Sequence, residues 1–313
     1  MGDAWEQRLE QAGDLGPLQP GLLRHLALPM LRRLEGSLHS GSAARRRPLL
    51  ALNGPVGAGK TSLGRALERL AGLGGLRLTV VSIDDLYLPA EERRRRLAGN
   101  PFGVSRVPPG SHDLPLLMAA LATWRAGGPL LLPWFDKTLA AGEGDRAGWR
   151  ERGAEAIIIE GWLMGCRALG PVALGQRIEN GAGLEPLTAQ ERIWLPCWDN
   201  HLAAYEELWR TCDGLWLLRP ERWSLPRRWR FQAEARQRRS GGGWLGADQL
   251  DDLVRATLHS LPPPLYQDPL LEPDPDRRQI PPLEGGVILD GRRRARPLAN
   301  QLSSPASASS AIG

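Results

Sequence analysis

Leu49-Leu50-Ala51-Leu52-Asn53 is a short apolar run that ends in Gly54, and Gly54 through Thr61 fits G-x-x-x-x-G-K-[ST] at every specified position. A strand, a glycine loop and then a helical stretch constrain the fold more than any other feature of the chain. The glycines let successive backbone N–H groups point inward, so Gly54, Pro55, Val56, Gly57, Ala58, Gly59, Lys60, Thr61 and Ser62 make a cradle for phosphate oxygens. Lys60 is placed to reach the β/γ-phosphates of a nucleotide, and the Thr61 hydroxyl suits Mg²⁺. Thr61 to Leu70 is apolar at helical spacing, so its N-terminus also offers its dipole to the anion.

Lysine is scarce. Of 40 Lys+Arg residues only Lys60 and Lys137 are lysine. Arginine's planar fork does not reproduce lysine's compact charge at a γ-phosphate, so a lysine placed here by chance is improbable.

The rest of the composition sets bounds. At 313 residues, with 42% hydrophobic and 24% charged residues, the chain has room for one large α/β domain with additions. Arg and Glu interrupt every apolar run, so no membrane span is expected. Asp3, Glu6, Glu10 and Asp14 argue against a signal or transit peptide, and three cysteines in no metal or redox spacing read as reduced thiols of a cytoplasmic protein. The net charge of +5 comes with no aromatic-basic array, so a nucleic-acid partner is not expected.

Along the chain, residues 1–47 read as a peripheral helical extension, with a stripe over Leu22 to Leu34 kinked at Pro29. Leu76 to Ile83 reads as a second strand ending in Asp84-Asp85-Leu86-Tyr87. Ligands of open parallel sheets bind beyond strand carboxyl ends, which suits these carboxylates to chemistry, although an Asp pair also commonly caps a helix or turn. Asn100 to Gly110 is a Gly- and Pro-rich loop. Asp113 can cap a helix over Leu114 to Arg125, and His112 before it is either a structural histidine or a donor to an anionic ligand. Pro129 to Pro133 is a short strand running into Trp134-Phe135-Asp136-Lys137, and a glycine-rich loop over 141–146 follows.

Ala154 to Gly161, with three consecutive isoleucines, reads as a strand buried on both faces. Glu160 at its end occupies the place of a Walker B carboxylate, which orients Mg²⁺. Residues 165–196 read as an excursion, Asp199 to Thr211 as a helix and Gly214 to Leu218 as another buried strand. The arginine-rich segment 219–243 reads as a helical lid over phosphates, with no arginine singled out. Gly241-Gly242-Gly243 makes a joint before a helix over Ala247 to Leu261. Residues 269–313 read as a Pro-rich, partly disordered tail, with Ser303 to Gly313 of low complexity. The fold class expected is a P-loop three-layer α/β/α domain over 48–268, with a mostly parallel sheet.

With those motifs in view, the chain resembles the D-glycerate 3-kinases, within the wider P-loop group of uridine kinase, pantothenate kinase and phosphoribulokinase. The resemblance runs from about residue 48 to about residue 266. It rests on Gly54–Thr61, Ser82-Ile83-Asp84-Asp85-Leu86-Tyr87, Pro109-Gly110-Ser111-His112-Asp113, Pro133-Trp134-Phe135-Asp136-Lys137, Gly144-Asp145-Arg146 and Ile159-Glu160-Gly161-Trp162. Leu86 stands where Phe is commoner, and Val107-Pro108 replaces a more usual Gly-rich approach to Pro109. The resemblance implies transfer of a phosphoryl group from MgATP to D-glycerate, giving 3-phosphoglycerate, with Lys60, Asp84 and Glu160 catalytic and Asp84 as base. It further implies an acceptor site of Asp84, Tyr87, His112, Asp113, Lys137 and Arg146, with Thr61 and Glu160 at the metal. A related kinase with another hydroxyl acceptor (nucleoside, pantothenate or sugar phosphate) and a nucleotide-gated regulatory ATPase are the alternatives.

Overall fold

In the computed structural model, residues 4–16, 18–39, 46–181, 183–239, 246–271 and 280–298 are described. The Gly241–Gly243 joint and the Ser303–Gly313 segment lie outside them.

Six strands form the central sheet in the order β2-β5-β1-β6-β7-β8: β1 Leu49–Asn53, β2 Leu78–Ser82, β5 Ala156–Gly161, β6 Gly214–Pro220, β7 Leu283–Leu289 and β8 Ala295–Pro297. Neighbours from β2 to β7 are parallel, and only β8 runs antiparallel. A separate antiparallel ribbon pairs β3 Leu130–Asp136 with β4 Asp145–Arg152. The expected mostly parallel α/β sheet is therefore present.

Period-2 alternation divides each central strand between two cores. Leu49 and Ala51 of β1, Ile157 and Ile159 of β5, and Leu215 and Leu217 of β6 face one; Leu50, Leu52, Ile158, Trp216 and Leu218 face the other. Each buried Leu or Ile contributes about 1.5–3 kcal/mol, so Ile158→Ala would cost about 2–5 kcal/mol. One face is covered by the helix Lys60–Leu73 and the N-terminal helices, the other by helices that include Leu114–Arg125 and Ala189–Ala203.

Three readings of the chain need correction. The N-terminal helices are not peripheral: a continuous helix over 20–39 buries Leu26, Ala27, Leu28, Met30, Leu31 and Leu34 completely. It absorbs Pro29 through a π-helical segment, Leu23–Ala27, where the Leu28 N–H reaches back to Leu23 O. The helix expected over Asp199 to Thr211 is two, Ala189–Ala203 and Glu206–Thr211, the first opened by a Thr188/Glu191 capping box.

The third concerns the tail. Residues 283–297 are two strands of the main sheet rather than part of it. Gly285-Gly286 dilutes the strand signal, yet packing demands small residues there. A Cβ on Gly285 would stand 2.5 Å from the Trp216 ring and one on Gly286 2.7 Å from Leu217 O. Among the described residues no helix is long and apolar enough to cross a membrane.

Candidate active site

The parallel strands β1, β5 and β2 end side by side, and their register sets Leu52 opposite Glu160 and Glu160 opposite Ser82. Just beyond these ends lies a cavity of about 690 Å³. Its walls include Gly57 to Ser62, Ser82, Asp84, Tyr87, Lys137 and Glu160, together with Arg106, Val107, Thr138, Arg230, Arg236, Arg292 and Arg293.

The loop after β1 has the shape its glycines suggest. Gly57 (φ 74°) and Gly59 (φ 97°) take left-handed backbone, and Gly59 caps the helix Lys60–Leu73, which aims that helix's N-terminus into the cavity. Lys60 Nζ donates to Pro55 O at 3.2 Å and stands 3.8 Å from Glu160 Oε2. Burial pushes the Glu160 carboxyl above its usual value, with the Lys60 charge opposing. The cradle, the lysine and the converging arginines fit a nucleotide's phosphates. The Thr61 hydroxyl and the Glu160 carboxylate both line this cavity, hard oxygen donors of the kind that suit Mg²⁺ beside phosphate oxygens.

The adjacent carboxylates Asp84 and Asp85 are pulled apart. Burial alone would raise Asp84, but His112, the Lys137 charge and the Tyr87 hydroxyl outweigh it and hold Asp84 well below the usual carboxylate range. Tyr87 Oη donates to Asp84 Oδ1 at 2.8 Å, and the Asp84 side chain is 39% exposed. Asp85 is raised, by burial first and then by the Asp84 charge, although a Phe135 backbone N–H supports its ionised form. Of the two, Asp84 is the one that lines the cavity, and its surroundings favour the ionised form.

The structure sorts the expected acceptor residues. Tyr87 and Lys137 line the cavity beside Asp84, and Lys137 has no hydrogen-bond or ion-pair partner among the described residues. His112 does not line it: the side chain is wholly buried behind Asp84, stacked on Tyr87 with ring centroids 4.6 Å apart. Asp113 and Arg146 are likewise spent on each other. Asp113 caps the helix Leu114–Arg125 by accepting from Leu116 N, and Arg146 binds Asp113 Oδ2 at 2.7 Å and Tyr87 O at 3.0 Å. They brace the 84–87 turn from behind, and neither faces the cavity.

Other residues at the cavity were not singled out from the sequence. Arg106 donates to Gly142 O at 3.1 Å and to Glu143 O, fastening the loop between β3 and β4. The helix Leu225–Arg239 crosses directly over the glycine loop, where a Cβ on Gly57 would be 2.7 Å from Arg230 N. That helix brings Arg230 and Arg236 to the cavity, whereas Arg219 pairs with Asp268 and Arg227 with Asp251. From the β7–β8 turn, Arg293 donates to Gly57 O at 2.9 Å and to Trp229 O at 3.1 Å, and its guanidinium also reaches Gln232. Burial, and then the charges of Arg236 and Arg228, depress Arg293. The run Arg292-Arg293-Arg294 was the available signal, placed in a stretch read as tail.

No model of a known protein family matches the chain. The chain is 29% identical over 244 residues to the chloroplastic D-glycerate 3-kinase of Arabidopsis thaliana, a match covering 73% of this chain and 51% of that protein. It is 26% identical over 197 residues to the uncharacterized kinase mug58 of Schizosaccharomyces pombe, covering 59% of this chain and 69% of that protein. Among solved structures, a D-glycerate 3-kinase from Cryptococcus neoformans matches with a TM-score of 0.69 at 25% identity, over 95% of this chain and 100% of that one. The chain thus spans about half the length of the Arabidopsis relative. These likenesses bear out both the α/β P-loop fold and the resemblance to D-glycerate 3-kinases.

Proposed function

We propose that the chain is an ATP-dependent small-molecule kinase whose acceptor is D-glycerate, phosphorylated on its 3-hydroxyl, and that it works in the cytoplasm with its cysteines reduced. The observation that carries this reading is Asp84, a carboxylate held ionised at the cavity that Lys60 and Glu160 also line. A pure ATPase has no need of that base together with an unpaired Lys137. The likeness to a plant and a fungal D-glycerate 3-kinase supports the choice of acceptor.

In this reading the 54–62 loop and Lys60 hold the β/γ-phosphates of ATP, and Arg230, Arg236 and Arg292 supply positive charge around the transferred group. Mg²⁺ between Thr61 and Glu160 would neutralise phosphate charge. Asp84 orients the acceptor hydroxyl in line and takes its proton, while Lys137 and Arg106 are placed for the acceptor's carboxylate. Because the transition state is loose, positioning and charge stabilisation account for most of the acceleration.

The test is ADP release with D-glycerate, uridine, pantothenate or ribulose 5-phosphate, followed by NMR of the product. Release that depends on D-glycerate and yields 3-phosphoglycerate is expected. Equal background release with every compound would sink the kinase reading, and preference for another acceptor would sink the substrate. Asp84→Asn should lower kcat by about 10²–10⁴ with little change in ATP affinity.

A further inference from the structure

His112 presents an unsatisfied polar atom in an otherwise well-bonded region. Its side chain is 0% exposed, and Nε2 has no hydrogen-bond partner among the described residues, yet it lies 3.9 Å from Asp84 Oδ1. Its other nitrogen is firmly held, with Nδ1 2.6 Å from the Tyr205 hydroxyl. That hydroxyl is itself fully buried and accepts from the Gly110 N–H at 3.3 Å.

The protons can be placed. Burial keeps the Tyr205 phenol protonated and the His112 ring neutral. With Gly110 donating to it, the Tyr205 oxygen has one proton, which goes to His112 Nδ1. A neutral imidazole that accepts at Nδ1 carries its proton on Nε2. The N–H therefore sits on the side that faces Asp84. A buried N–H left unpaired is costly, and moving about an ångström closer would make it a charge-assisted bond.

We propose that Tyr205 and His112 are a positioning pair that fixes the orientation of Asp84. Tyr205 selects the Nε2–H tautomer, and His112 joins Tyr87 in holding Oδ1, so that Oδ2 is the oxygen presented to the acceptor hydroxyl. In this arrangement His112 cannot take the acceptor's proton, since the nitrogen nearest the site already carries one. The inference rests on Asp84 acting as base in the proposed reaction.

Two measurements test it. Imidazole ¹⁵N shifts of the 313-residue chain report the tautomer without any acceptor: Nε2–H is expected in the wild type, and a mixture in Tyr205→Phe. A wild-type Nδ1–H tautomer would overturn the proposal whatever the substrate proves to be. In kinetics, Tyr205→Phe should lower kcat about 10- to 100-fold while KM for ATP and the melting temperature stay near wild type. His112→Gln, whose amide can occupy the Nε2 position, should retain much more activity than His112→Leu. Full kcat in Tyr205→Phe, equal losses in both His112 variants, or losses that track the melting temperature would each overturn it. If D-glycerate is not phosphorylated, the substrate reading fails by itself, and the kinetic arm is read with whichever panel compound releases ADP. If none does, the base role of Asp84 falls and the proposal falls with it.

Discussion

Val107 adopts φ 92° immediately before Pro108, where a β-branched side chain and the following proline both disfavour left-handed backbone. The other non-glycine residues of positive φ among those described are Ala140, Ala141 and Arg293. Val107 and Arg293 line the cavity, and the two alanines belong to the loop that reaches it at Gly142. Strain gathered in this way is held by surrounding packing, and Val107 is pressed against the hydrophobic core. Val107→Gly should therefore be more stable than Val107→Ala by about 1 kcal/mol, the reverse of the usual order, in paired urea melts. At this scale the sequence was legible where residues adjacent along the chain act together. The 54–62 loop, Asp84 and Glu160 are read from their own short segments. For Asp113 and Arg146 the chemistry suits a ligand or a structural partner equally well, and the fold shows each bonded to the other. Position alone did not tell Asp84 from Asp85; the resemblance singled out Asp84, and burial and neighbours give the two carboxyls opposite shifts.

The elements were legible where one period ran unbroken, as in the isoleucine strand β5 or the helix Leu114–Arg125. They were lost where packing needed residues that dilute the signal. The strand β4, Asp145–Arg152, is largely polar and pairs only in a two-stranded ribbon, and β7 carries two glycines under Trp216 and Leu217. The cost was Arg293, the side chain by which the β7–β8 turn joins the glycine loop to the helix above it. Arg293→Ala should raise the Kd for ATP about tenfold, roughly 1.4 kcal/mol, by calorimetry. Arg294→Ala is the control. Among the described residues the Arg294 side chain pairs only with Asp290 of its own turn, so its removal should change Kd less than twofold.

Across the whole molecule, the N-terminal helices are fastened to the far end of the sheet: Arg33 binds Glu284 of β7 at 2.8 Å. Six completely buried side chains of the 20–39 helix, at about 1.5–3 kcal/mol for each larger one, rival the 5–15 kcal/mol total stability of a typical domain. A variant beginning at residue 46 should accordingly aggregate when expressed, seen as lost soluble yield and raised light scattering, rather than give a trimmed active protein. The parallel sheet also sets an order in time. During synthesis β1 emerges first but waits for β5, some hundred residues later, before it has a neighbour. The glycine loop waits longer still, because Arg293, its clasp, is made 236 residues after Gly57. A ribosome that stalls anywhere in between holds a nascent chain with its phosphate loop translated and its clasp missing, so a stalled intermediate should bind ATP poorly until β7 and β8 have cleared the exit tunnel.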